Sequence, residues 1–182
     1  MVNGCKNPVD RLNLTTPFST NLQEQKMATD LTEGAKAPAF TLPLDNGEKI
    51  SLAKLKGKKV VLYFYPKDDT PGCTKEAIAF SGDIAKFKRA GAVVIGVSKD
   101  TVEKHQKFRT KHDLKVELAS DEDGKVIEKY GVWVEKNMYG KKYMGIERAT
   151  FLIDEKGKIQ RIWRKVKVKD HAEAVLEAVK EI

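Results

Sequence analysis

Cysteine is scarce in this chain: 182 residues hold two, Cys5 and Cys73. Two thiols cannot build a disulfide framework or a four-ligand zinc site. A chain of this length buries a core without covalent staples, so the expected compartment is a reducing one, the cytoplasm. No apolar run approaches the roughly 18 residues of a membrane-spanning helix, so no membrane partner is expected. The longest runs, Val60–Tyr65 and Ala92–Val97, have the length of buried strands. Histidine is scarce too, and His105, His112 and His171 fall on segments that read as surface helices. Nothing in their spacing sets one beside Cys73, which leaves a Cys-His hydrolase without its base. There is no Cys-x-x-Cys, because position 76 is Glu76, so dithiol exchange at that motif lacks its second thiol.

Positive charge is abundant, with a formal net charge of +8. The lysines and arginines are scattered, and the one dense stretch, Arg161 to Lys169 (RIWRKVKVK), alternates valine with lysine. That is the pattern of a half-buried strand with lysines facing water. No aromatic interleaving or groove-reading motif accompanies it, so no nucleic-acid partner is expected. Residues 1–30 are rich in Asn, Thr and Ser and lack both an apolar signal core and any sustained period. They read as a flexible leader before a single domain, residues 31–182.

From Gly34 the pattern is regular. PAFTLPLDNGEKISL reads as two extended pieces around the turn Asp45-Asn46-Gly47, and KKVVLYFYP as a central strand stopped by Pro66. Ala77, Phe80, Ile84 and Phe87 recur at helical spacing up to Gly91. A strand (AVVIGVS), a charged helix (Val102–Asp113), a short strand (ELAS) and a short helix (Gly124–Tyr130) follow. Met138, Tyr139, Tyr143 and Met144 lie in a glycine-containing loop, as pocket wall or as plain loop packing. RATFLIDEKGKIQRIW reads as two strands, and Ala172, Val175, Leu176 and Val179 as the stripe of a terminal helix. This order implies an α/β fold, a mixed central sheet with helices on both faces, and a thiol where strand meets helix suggests a thioredoxin-like architecture.

A helix starting near Cys73 offers unpaired N–H groups and the positive end of its dipole, which favour a thiolate over a thiol. Pro71 and Gly72 fit a tight approach to that start, and Thr70 can donate to the sulfur or to an oxygen beside it. The local reading is an activated nucleophile; the alternative is a small buried hydrophobe.

PKDDTPGC, Pro66 to Cys73, has the form Pro-x-x-x-Thr-x-x-Cys, with Glu76 following. This resembles the active-site signature of the peroxiredoxins, most closely the peroxiredoxin Q or bacterioferritin comigratory protein branch. The likeness continues through LASDEDGKVIEKYGVW and MGIERATFLIDEKGKI and spans about residues 34–182. It implies a thiol-dependent peroxidase that needs no cofactor and reduces hydrogen peroxide and organic hydroperoxides through a sulfenic acid on Cys73. By the same resemblance Thr70 would hydrogen-bond the peroxide, Pro66 would shield the site, and Arg148 would stabilise the thiolate and the leaving oxygen. Glu76 would hold Arg148, and the N–H groups of Gly72 and Cys73 would complete an oxyanion pocket. The implied reductant is thioredoxin, glutaredoxin with glutathione, or another thiol, and the implied assembly a monomer or weak homodimer. Many members of the branch carry a resolving cysteine five residues after the first; here that position is Ile78, and Val102–Asp113 has none. Cys5 is either an incidental thiol or a distant resolving partner, and the simpler expectation is a one-cysteine mechanism.

Overall fold

A computed structural model describes residues 31–182; Cys5 and the expected leader lie outside the described residues. Strands β1 (Thr41–Pro43) and β2 (Lys49–Ser51) pair antiparallel across a turn in which Gly47 takes a φ of +84°. Glycine adopts that left-handed geometry without steric cost. A 3-10 turn (Leu52–Leu55) leads into β3 (Lys59–Phe64), whose residues from Val60 on are all buried. Flanked by strands and covered on both faces, β3 needs an unbroken apolar run rather than alternation.

The chain continues through α1 (Pro71–Gly82), α2 (Ile84–Arg89), β4 (Ala92–Ser98), α3 (Val102–His112), β5 (Glu117–Ser120) and α4 (Lys125–Lys129). A hairpin of β6 (Trp133–Met138) and β7 (Lys141–Ile146) precedes β8 (Ala149–Ile153), β9 (Ile159–Trp163) and α5 (His171–Glu181). The central sheet has the order β5-β4-β3-β8-β9, with β3, β4 and β5 parallel and β8 and β9 antiparallel to their neighbours. Phe80 of α1, Phe87 of α2, Phe108 of α3 and Val175 of α5 pack on one face. The β1–β2 pair, Leu55 and Val126 and Ile127 of α4 cover the other. The fold is the mixed, thioredoxin-like α/β sandwich that the order of elements implied.

Four local expectations are corrected. The helix carrying Phe80 and Phe87 breaks at Asp83 (φ −97°, ψ 7°), just after Ser81-Gly82, where helix propensity is lowest. The stretch read as a loop is the β6–β7 hairpin, turned by Tyr139 and Gly140, both at positive φ. Its strands carry lysines on both faces, which hid the alternation. The Val–Lys alternation after Trp163 does not extend β9; Lys165 turns at φ +48° and the Val166 N–H bonds the Arg148 carbonyl at 3.0 Å. A period-2 pattern gives a segment two faces but does not supply a neighbouring strand. Finally, His105 and His171 are buried, not on the surface.

Candidate active site

The sheet brings the site together. Phe64, the last residue of β3, pairs with Ala149, the first of β8, so Arg148 stands beside the loop that leaves β3. That loop, residues 65–70, delivers the chain to α1, with Thr70 as the extended N-cap residue and Pro71 at the first helical position. Proline suits that position because its φ is already helical and no N–H is wanted there. The Thr74 N–H is taken by the Thr70 carbonyl at 2.8 Å, so Gly72 and Cys73 carry the free N–H groups of the first turn.

Cys73 is only 2% exposed. Arg148 Nη2 donates to its Sγ at 3.3 Å, and Nη1 donates to Glu76 Oε2. Glu76 lies three residues beyond Cys73 and so on the same face of α1, which lets one planar guanidinium reach both. Gly72 leaves room for this: a Cβ there would sit 3.1 Å from Arg148 Nη2. Burial pushes the Glu76 carboxyl up to about 7, against the pull of Arg148, and its Oε1 has no hydrogen-bond partner among the described residues. Burial also works against the Arg148 charge, but Glu76 and Cys73 outweigh it and hold the guanidinium above its ordinary range.

Pro66 and Thr70 both belong to the loop that leads into α1. Pro66 is exposed, and Thr70 Oγ1 donates to the Lys67 carbonyl at 2.9 Å rather than to the sulfur. Helix α3, with Asp100 just before it, clamps the loop between them. The Asp68 N–H donates to Asp100 Oδ2 at 2.8 Å, and its carboxylate accepts from Tyr65 Oη at 2.6 Å and pairs with His105 Nδ1 at 2.7 Å. One residue on, Asp69 sits at φ +59° and pairs with Lys111 at 2.6 Å and His112 at 2.8 Å. Sequence reading missed this clamp, since acids within a motif and histidines on a distant helix share no local pattern.

Neither buried histidine is bonded to Cys73. His105 is engaged by Asp68, and His171 pairs with Thr150 Oγ1 at 2.8 Å. Burial, helped by the Arg148 charge, lowers His171 to about 4. Ile78, five residues after Cys73, is 47% exposed. No group of His, Cys, Asp and Glu suited to a metal ion occurs among the described residues, and none of their helices is long and apolar enough to cross a membrane. A partly buried cation bridging a thiol and a carboxylate, beside free helix N–H groups, suits a reaction in which negative charge develops near sulfur.

Residues 34–162 match the AhpC/TSA family. The chain is 59% identical over 143 residues to a putative peroxiredoxin bcp of Coxiella burnetii, covering 79% of this chain and 95% of that one. It is 51% identical over 149 residues to peroxiredoxin Bcp of Bacillus subtilis, covering 82% and 95%. Among solved structures, a peroxiredoxin Q variant of Xylella fastidiosa superposes with a TM-score of 0.80 at 36% identity, covering 84% of this chain and 98% of that one. The bacterioferritin comigratory protein of Xanthomonas campestris, studied for alkyl peroxide reduction, gives 0.75 at 44% identity, covering 78% and 90%. This chain belongs to the AhpC/TSA family, within its peroxiredoxin Bcp or peroxiredoxin Q branch.

Proposed function

We propose that this protein is a thiol-dependent peroxidase acting on hydrogen peroxide and organic hydroperoxides through Cys73, with residues 31–182 as the catalytic unit. The observation that carries the reading is Arg148 bridging Sγ and Glu76 beside the N-terminus of α1. The Cys73 thiolate attacks the nearer peroxide oxygen and the O–O bond breaks. The leaving oxygen takes a proton and departs as water or an alcohol, and Cys73 becomes a sulfenic acid. Arg148 and the N–H groups of Gly72 and Cys73 stabilise the charge that develops on the oxygens. Pro66 limits water, and Thr70 turns its hydroxyl from Lys67 to the bound peroxide.

Regeneration follows a one-cysteine route. Ile78 stands where a resolving thiol would lie, and Cys73 is the only cysteine among the described residues. The sulfenic acid is therefore reduced by an external thiol, from thioredoxin, glutaredoxin with glutathione, or a small molecule. The test is peroxide consumption with excess thiol, wild type against Cys73→Ser, with mass spectrometry after one equivalent of peroxide. Full activity in the variant overturns the reading, and a Cys5–Cys73 disulfide in place of one added oxygen overturns the one-cysteine route.

A further inference from the structure

Arg148 also lines a groove of about 570 Å³, whose other lining residues have no part in the peroxide reaction proposed above. Its lining includes Val134, Lys136, Arg148, Lys165 and Val166, with Glu135 and Glu147. Both acids are already held by cations outside the lining, Glu135 by Lys142 at 3.2 Å and Glu147 by Arg164 at 2.9 Å. Lys136 and Lys165 have no ion-pair partner among the described residues. Arg148 turns its fork inward to Cys73 and Glu76. The free charge of the groove is therefore positive and belongs to the two lysines.

The fold prepares Lys136 for this position. It projects from β6 opposite Tyr143 of β7, and Gly145 leaves space for both: a Cβ there would lie 3.3 Å from Lys136 Cδ and 3.3 Å from Tyr143 Cε2. The stem is partly buried, and the ammonium forms no ion pair among the described residues, the nearby Glu147 being taken by Arg164. Burial and the nearby Arg148 charge lower its affinity for a proton, and Cys73 and Glu147 oppose this. Lys165, itself left-handed at φ +48°, joins the lining next to Val166, whose N–H is fixed to the Arg148 carbonyl at 3.0 Å.

Resting on the reading that Cys73 is regenerated by an external thiol, we infer that this groove is a carboxylate-binding subsite for the reductant, with Lys136 as its specificity-determining residue. The ligand class is a small carboxylate-bearing thiol, its anion on Lys136 and Lys165 and its methylene carbons on Val134 and Val166. Arg148 is common to both: it lines the groove, and its Nη2 lies 3.3 Å from Sγ, so a short thiol anchored there needs the guanidinium to swing aside to meet the sulfenic acid. Its thiolate attacks Sγ, the S–S bond forms and the S–O bond breaks, and the oxygen leaves as water with the thiol's proton and its own. A second thiol then displaces Cys73 and releases the symmetrical disulfide.

The test uses full-length protein oxidised with one equivalent of hydrogen peroxide, the added oxygen verified by mass. Sulfenic acid decay is followed with mercaptoacetate and with 2-mercaptoethanol, and the readout is the ratio of their rate constants. Using the ratio removes any general effect of a substitution on folding or on sulfur reactivity. Lys136→Gln is expected to lower the ratio about fivefold, the scale of one partly exposed ion pair, Lys136→Arg to restore most of it, and Lys165→Gln to give a smaller drop. Added salt should erase the wild-type preference. An unchanged ratio in Lys136→Gln overturns the subsite while leaving the peroxidase reading intact. Failure of the wild type to gain oxygen overturns both.

Discussion

Arg148 divides one planar cation between two acceptors, Sγ of Cys73 and the carboxylate of Glu76. A guanidinium can do this because its donors are fixed in a fork, whereas an ammonium is a point charge on a flexible stem. Arg148→Ala is expected to slow oxidation of Cys73 by hydrogen peroxide roughly 10²-fold, the scale of losing one oxyanion donor. Arg148→Lys should recover only part of that loss. Stopped-flow oxidation rates measured across pH decide the matter, and a lysine variant as fast as wild type would remove the fork from the mechanism. The same scale explains Gly72, where any side chain would press on the guanidinium.

At the scale of elements, α1 is continuous from Pro71 to Gly82, so Cys73 and position 78 lie on one unbroken helix. Residues five apart on such a helix have Cα atoms roughly 8.6 Å from each other, beyond the ~6.8 Å limit for a disulfide. Ile78→Cys, which puts a second thiol five residues after Cys73, is therefore expected to leave Cys73 oxidation near normal while disulfide formation lags. Closure should lower the helical circular dichroism signal; a disulfide formed at once with helicity intact would refute this. Ile78 is exposed and packs little, so what resists unwinding is the helix's own hydrogen bonds and the buried Ala77 and Phe80. Helix α3 acts on the same loop from the other side. Asp68→Asn weakens the buried hydrogen bond to His105, and we expect a loss of roughly 1–2 kcal/mol in urea unfolding. A change below about 0.5 kcal/mol, the range of ordinary surface substitutions, would show that the clamp carries no stability.

Over the whole molecule, two buried groups act in opposition as pH changes. Glu76 titrates near 7 in the fold against an ordinary 4.5, so its contribution is full below about 4.5 and is lost as pH rises through 7. His171 titrates near 4 against an ordinary 6.5, so its contribution is full above about 6.5 and is lost as pH falls through 4. Each is worth roughly 3 kcal/mol at 1.36 kcal/mol per unit. Between about 4.5 and 6.5 the two slopes oppose each other and nearly cancel. Glu76→Gln should therefore lose stability as pH falls across that window, and His171→Gln should gain it. Denaturant midpoints at several pH values test this, and two variants with the same slope would contradict it.

The strands of the central sheet, a helix start close to Cys73 and the turn at Gly47 were legible in the sequence because each depends on neighbours along the chain. The proposed nucleophile stood out for the same reason: Thr70, Pro71, Gly72 and Cys73 are consecutive and lead into the helix that follows them. The family likeness extended this to Arg148 and Glu76, which no local pattern joins to Cys73. Only the tertiary structure decided the rest. Arg148 meets Cys73 across 75 residues because β8 pairs antiparallel with β3 in one register. His105 is buried because α3 lies over the loop that Asp68 belongs to, and Lys136 reaches the groove because a hairpin formed where the lysines masked its alternation. Periodicity along a chain tells which face of an element is apolar, but which elements meet, and at what register, follows from how those faces are buried together.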